Sequence, residues 1–369
     1  MEKGNPAKKV GVLAGIAGIP FLVIWLFAWM NHHTKAAPAE NGMIDLSGRS
    51  ASEGPLLLTG QWSRMQGSYE PDQMAGLAWE EVGDIRYIRK MRGYTYTFVL
   101  KAAEGEPWSF LLPRPHSSRL WLNGTEVTGE GGGLSAGEIY RLSDYASEEK
   151  IRVVLQVTNS SIYDVYQGMI LGNKADLSEI QNRWMVLDMI AIGLSLMLIL
   201  MCITLFLPKR SEGYLLLLAV SALVELAHFL LIPRHPGWSF FHLGTTTFYR
   251  QLGFLHYYVV KQFVRGENSP WMDQAVPTIA LLTAAGCLLW PERSNSWIQA
   301  SYLFYMLVQA WVLGKGVLHG TPQAPVILTG CMLALGNELF YRLLYIGKIP
   351  QGMVDIQLMP AQYMRFAYI

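Results

Sequence analysis

Two sets of residues in this chain are of types that do chemistry. The first is a row of ionisable side chains inside otherwise apolar runs: Asp188, Glu225, His228, Arg250, His256, Glu338 and Arg342. In hydrocarbon each of these is costly, so each must face protein or water. Glu225 and His228 stand three apart on one helical face, and Glu338 and Arg342 stand four apart, where an ion pair can close across one turn. Arg250 falls in the middle of a run and needs a carboxylate from another helix, for which Glu225 and Glu338 are the candidates. The row supports a buried polar switch or a ligand site. The plainer reading is a structural network between helices, worth about 0.6 kcal/mol per hydrogen bond. Asp188 sits near the outer end of its run and is expected to be wet. Two side chains do not hold a metal, so the Glu225/His228 pair is not read as a metal site, and no cofactor is expected.

The second set lies in a polar stretch: Trp62, Trp108, Arg114, His116, Tyr163, Asp164 and Tyr166. Exposed aromatics and polar loop side chains bind carbohydrates and other small ligands. Trp62 and Trp121 sit in strand-like runs and are expected in a core. That leaves Arg114 and His116, on either side of Pro115, and Tyr163, Asp164 and Tyr166, after a strand end, as the expected ligand contacts. No H-E-x-x-H, G-x-S-x-G, C-x-x-C or P-loop pattern occurs, so the chain is not expected to be an enzyme. The Gly-rich run 130–133 follows no strand–helix pattern and is no phosphate cradle. A net charge of +1 gives no basis for nucleic-acid binding. Cys202, Cys287 and Cys331 all fall in apolar segments, so the polar stretch has no disulfides.

These residues need two kinds of scaffold. Charged residues are 15% of the chain, against about 25% in a soluble domain, and they concentrate between residues 43 and 179. Residues 1–9 carry Lys3, Lys8 and Lys9, and residues 10–30 are apolar and long enough to span a bilayer, with Pro20 interrupting the run. The basic flank places the N-terminus in the cytoplasm. The helix is either a signal anchor or a signal peptide cut near residues 35–37; its length favours the anchor. Residues 31–42 form a linker, 43–172 an exported β-sandwich, 173–183 a connecting segment, and 184–369 a multi-helix transmembrane domain.

The sandwich is read from alternation. Tyr94, Tyr96, Phe98 and Leu100 share one face of a strand, and Ile151, Val153, Leu155 and Val157 share one face of another, with Val154 the only apolar residue opposite. Asn123-Gly124 between two strand-like runs marks a hairpin. Short strands with Gly/Pro turns predict an all-β jelly roll. Beyond it, apolar runs at 184–207, 213–233, 241–263, 275–290, 297–318 and 325–346 predict about six helices, and 364–369 the start of a seventh, as in a fragment of a longer chain. Lys209, Arg210, Lys261, Arg265, Lys315 and His319 fall in alternate connections, which are therefore cytoplasmic if the β domain is exported.

The order of parts carries a resemblance. A jelly roll running through "GQW", "SSRLWLNGTEV" and "IRVVLQVTN" ends in "GMILGNKADL" and passes directly into a helical ladder. From Ile44 onward the chain resembles bacterial seven-transmembrane receptors with diverse intracellular signalling modules, with their second type of extracellular domain. That resemblance implies a plasma-membrane sensory receptor in a two-component or similar system. Its exported domain would bind a carbohydrate or other small ligand, and its bundle would signal to a cytoplasmic module such as a histidine kinase or diguanylate cyclase. No such module follows here, so no enzymatic activity carries over. The expected partners are the lipid bilayer, the ligand and a cytoplasmic signalling module, with a homodimer left open. A multi-helix transporter with an extracellular binding domain is the alternative, against which stands the lack of matched Gly/Pro-broken segments in two halves.

Overall fold

The structure is a computed structural model that describes residues 6–32, 35–74, 76, 78–84, 94–102, 106–112, 118–127, 137–142, 150–157, 169–208, 213–231, 256–262, 264, 270–290 and 294–345. Two helices open the chain, α1 (Pro6–Ala17) and α2 (Ile19–His32). The break between them falls at Gly18, before Pro20, whose ring is tolerated in a first helical turn. Among the described residues, eleven strands follow: β1 (Ala36–Ala39), β2 (Met43–Leu46), β3 (Leu56–Gln66), β4 (Glu80–Asp84), β5 (Tyr94–Ala102), β6 (Ser109–Leu112), β7 (Ser118–Leu122), β8 (Thr125–Val127), β9 (Glu138–Arg141), β10 (Lys150–Val157) and β11 (Ile170–Gly172). Then come α3 (Lys174–Phe206), α4 (Gly213–Leu231), helical residues 256–262 (α5), α6 (Pro270–Leu289), α7 (Ser294–His319) and α8 (Ala324–Tyr345).

The strands form one nearly closed, mainly antiparallel sheet, ordered β8-β7-β10-β5-β3-β11-β6-β9. It folds into two layers because β3 serves both. The first half of β3 pairs with β1 and β11, and its second half pairs with β4 and β5. The corner is Gly60, at φ +90, where a Cβ would stand 2.4 Å from the carbonyl oxygen of Ala39. Only glycine permits that conformation and that approach together.

Alternation does the rest. Leu58, Phe110, Leu112 and Leu171 from one layer meet Trp62, Phe98, Leu100, Leu122 and Val153 from the other in a single inter-layer core. The β5 and β10 faces read from the sequence both point there. Asn123 and Gly124 have φ of 49 and 83 between β7 and β8, the left-handed pair that a two-residue hairpin needs.

Both outer faces are also covered. Val154, the apolar exception on β10, packs with Trp121 and Met74 under Tyr69 and Trp79. On the other layer, Leu57, Leu111, Ile139 and Ile170 are buried against Leu177 and Ile180. Those two residues belong to α3. Residues 174–183 form the first turns of that continuous 33-residue helix. Asn173 caps it, its side-chain oxygen accepting from the Asp176 amide at 2.9 Å. Ala36–Ala39 lies in the expected linker yet pairs in parallel with β3.

The helices pack as a bundle that includes the N-terminal pair. Ile16 of α1 joins a core with Tyr257 and Val260 of α5, Val276 of α6, Tyr305 and Val312 of α7, and Leu328 and Cys331 of α8. α2 lies along α8, where a Cβ on Gly336 would come within 2.8 Å of the Pro20 Cα. α3 and α4 pack through Leu198, Cys202, Leu218 and Ala222, with Val259 of α5 closing that cluster.

Candidate functional site

The register of the second layer lines up one polar row on its inner face. Glu80 of β4 pairs with Arg64 of β3, Arg64 with Tyr96 of β5, Tyr96 with Leu155 of β10, and Leu155 with Leu120 of β7. The next row, at the rim, is Gln66, Tyr94, Val157 and Ser118. An arginine therefore sits where the alternation of Trp62, Arg64 and Gln66 leaves the core and reaches the edge.

Arg64 is fixed from two sides. Its Nε and Nη2 donate to Oε2 and Oε1 of Glu80, both at 2.9 Å, the two-pronged geometry that suits a planar carboxylate. Its Cζ lies 5.1 Å from the centre of the Tyr94 ring. The hydrogen bonds from Arg64 hold the Glu80 carboxyl below its usual range. The Arg64 side chain is 24% exposed and that of Glu80 65%.

Beside them the core keeps unusual polar atoms. The Tyr96 hydroxyl and the indole nitrogens of Trp62 and Trp108 are buried with no hydrogen-bond partner among the described residues. Burial pushes the Tyr96 phenol well above its ordinary value, and the Arg64 charge partly opposes that. Trp62 stacks obliquely on Phe98 at 4.0 Å, and Tyr94 lies 6.3 Å from Tyr96. Trp108, a sequence candidate for ligand contact, is instead core.

The loop candidates Arg114, His116, Tyr163, Asp164 and Tyr166 lie outside the described residues. Their anchoring strand ends do not. β7 starts at Ser118 and β10 ends at Val157, and these are register partners in the rim row beside Tyr94. Both candidate segments thus attach to the rim that Arg64 borders. Sequence reading missed Arg64 and Glu80. The signal for Arg64 was present, two residues after Trp62 on the same face of β3.

On the outer face, Arg119 is held by Glu126 at 2.7 and 2.6 Å and by Glu70 at 2.8 Å, over the Trp121 ring. Two carboxylates already fill this fork, and the arrangement is structural.

The ionisable candidates of the apolar runs divide. Glu225 and His228 lie in α4, Asp188 in α3 and Arg342 in α8, with only their backbones described, and Arg250 falls outside the described residues. His256 and Glu338 are half-buried, in α5 and α8. The expected pairing of Arg250 with Glu225 or Glu338 therefore rests on the sequence alone. A different cluster is formed: Lys261 Nζ donates to both Asp273 oxygens at 2.7 and 2.6 Å, and Tyr257 donates to the same carboxylate at 2.8 Å, tying α5 to α6. Among the described residues no three His, Cys, Asp or Glu side chains come together as a metal site.

At the junction, residues 50–53 knot the domain to both helices that leave it. Lys35, after α2, donates to the Glu53 carbonyl at 2.8 Å, and Asn173, which caps α3, donates to the Ala51 carbonyl at 3.3 Å. Glu106 accepts from the Ala51 amide at 2.9 Å and completes the knot.

No family model, curated protein or solved structure matches the chain.

Proposed function

We propose that the chain is the sensory part of a bacterial plasma-membrane receptor. In this reading the β domain is a jelly roll held outside the membrane, and its rim binds a carbohydrate or other small ligand. The helical bundle then passes the bound state to a cytoplasmic signalling module.

The observation that carries the reading is α3. One uninterrupted helix of 33 residues, about 50 Å at 1.5 Å per residue, starts as part of the β domain's packing and ends in an apolar cluster. A displacement of the first layer reaches the bundle with no flexible link between. β3 completes the path, since it carries Arg64 at one end and Leu57, against Leu177, at the other.

The bundle suits lipid. The stretches Lys9–Leu26, Pro270–Leu289 and Trp297–His319 are long and apolar enough to cross a membrane. Leu196, Met197 and Leu200 on α3, and Leu281, Leu282 and Leu288 on α6, are exposed apolar side chains that hydrocarbon would cover. Helix ends sort accordingly. Lys9 at the start of α1 donates to the Leu318 carbonyl at the end of α7, at 3.0 Å. Lys9 thus lies at the α7 end that carries Lys315 and His319, the end that the positive-inside rule would assign to the cytoplasm.

The test is orientation. In a version with the native cysteines replaced, Ser47→Cys should react with a membrane-impermeant thiol reagent on intact cells. Gln323→Cys, between α7 and α8, should react only after lysis. The reverse pattern overturns the receptor reading.

A further inference from the structure

The Arg64 fork is filled by a carboxylate of the protein's own. We propose that it is the subsite for a ligand carboxylate, that acidic sugars (uronates) are the ligand class, and that Glu80 is an internal competitor for the place. The sugar part of this inference rests on the receptor reading; the carboxylate part rests on the geometry below.

Three features separate this pair from an ordinary surface ion pair. First, Arg64 stands on the inner face of the sheet, in a row with Tyr96, and not on the solvent face. Second, the fork is pre-set. The Tyr94 ring supports the guanidinium from β5, so it keeps its position when Glu80 leaves. Third, Tyr96, directly opposite, brings a hydroxyl that no described group satisfies.

Glu80 is the mobile half. It belongs to β4, which among the described strands pairs only with β3, across a register shift at Gln61/Trp62. Its side chain is 65% exposed, so it can swing into water while the less exposed Arg64 stays. Exposed pairs of this kind are weak, and exchange of one carboxylate for another conserves both hydrogen bonds. Planar two-pronged recognition favours a carboxylate over a neutral hydroxyl or a spherical anion. Arg119 does not qualify, because Glu70 and Glu126 hold it together.

The experiment is calorimetric titration of the full chain in nanodiscs with glucuronate and with glucose. Wild type should bind glucuronate and not glucose. E80Q removes the competitor and should bind glucuronate about fivefold tighter, the scale of a weak exposed ion pair. R64Q should weaken it by about tenfold or more, and R119Q should change nothing. E80Q sits on an exposed edge and leaves the core intact, so it reads the competition even if R64Q misfolds. E80Q binding no tighter than wild type overturns the proposal, as does absence of glucuronate binding in both. Equal binding of glucose and glucuronate, indifferent to Glu80, also overturns it but leaves the receptor reading standing. Inverted thiol labelling would remove the receptor reading without touching the carboxylate fork.

Discussion

At the scale of single residues, the β domain buries the Tyr96 hydroxyl and the Trp62 and Trp108 indole nitrogens with no partner among the described residues. A buried hydroxyl without a partner costs about 1–3 kcal/mol relative to a satisfied one. Tyr96→Phe removes the hydroxyl and leaves the ring in the core. It should therefore raise the unfolding free energy, by up to about 1 kcal/mol, in thermal or urea unfolding of the full chain. A loss of stability of that size would mean that the hydroxyl has a partner in solution. The buried phenols also set an alkaline limit. Burial raises Tyr96, and burial with the neighbouring Glu138 carboxylate raises Tyr140. Both folded-state values lie above the ~10 of an unfolded tyrosine. Their contribution is thus complete below about pH 10 and is withdrawn as pH climbs towards the folded values. Phenolate absorbance from these two should appear only together with loss of β-sheet circular dichroism. The residue scale is also where the sequence was least legible. The position of Arg64 follows from its spacing to Trp62, but its partners Glu80 and Tyr96 lie 16 and 32 positions further on, and only strand register brings them beside it.

At the scale of elements, legibility follows the physics of the pleat. β5 and β10 were readable because each has one face in a continuous core, which enforces a period of two. β1 was not, because Ala-Ala-Pro-Ala has no strand preference of its own. It is a strand because β3 docks on it, at the point where Gly60 lets the two backbones meet. The start of α3 was hidden by its polarity, although Leu177 and Ile180, three apart, are its buried stripe. Two changes test these elements. Gly60→Ala places a Cβ against the Ala39 backbone at a φ that disfavours side chains, and should destabilise the β domain by about 3 kcal/mol or more. Leu177→Asp buries a charge between α3 and the sheet, and should also cost at least about 3 kcal/mol. Both are read from the thermal midpoint of the β-sheet signal. A midpoint unmoved by Leu177→Asp would mean that the two elements do not pack in solution.

At the scale of the whole molecule, the two layers and the helices are not independent parts. The layers share β3, and the sheet shares its outer face with α3. The N-terminal pair is equally bound in, through Lys9 at one end and Gly336 against Pro20 further along. A Gly336→Leu change should push α2 off α8 and lower the thermal midpoint of the bundle in detergent, whereas Gly193→Leu, on an open face of α3, should not. The joints between these parts were not legible in the sequence, because a joint is made by contacts between distant segments and not by composition.

The Lys9–Leu318 contact spans 309 positions of sequence, and this bears on how the protein is made. A ribosome delivers α1 and α2 before the β domain, and α7 and α8 after it. Until they arrive, the close-packing surface around Pro20 has no counterpart. α1 and α2 must therefore wait through synthesis of the entire β domain before α7 and α8 clasp them. This contact is closed by α7 and α8, and a chain stalled before α8 would leave α1 and α2 unclasped, a natural mark for quality control.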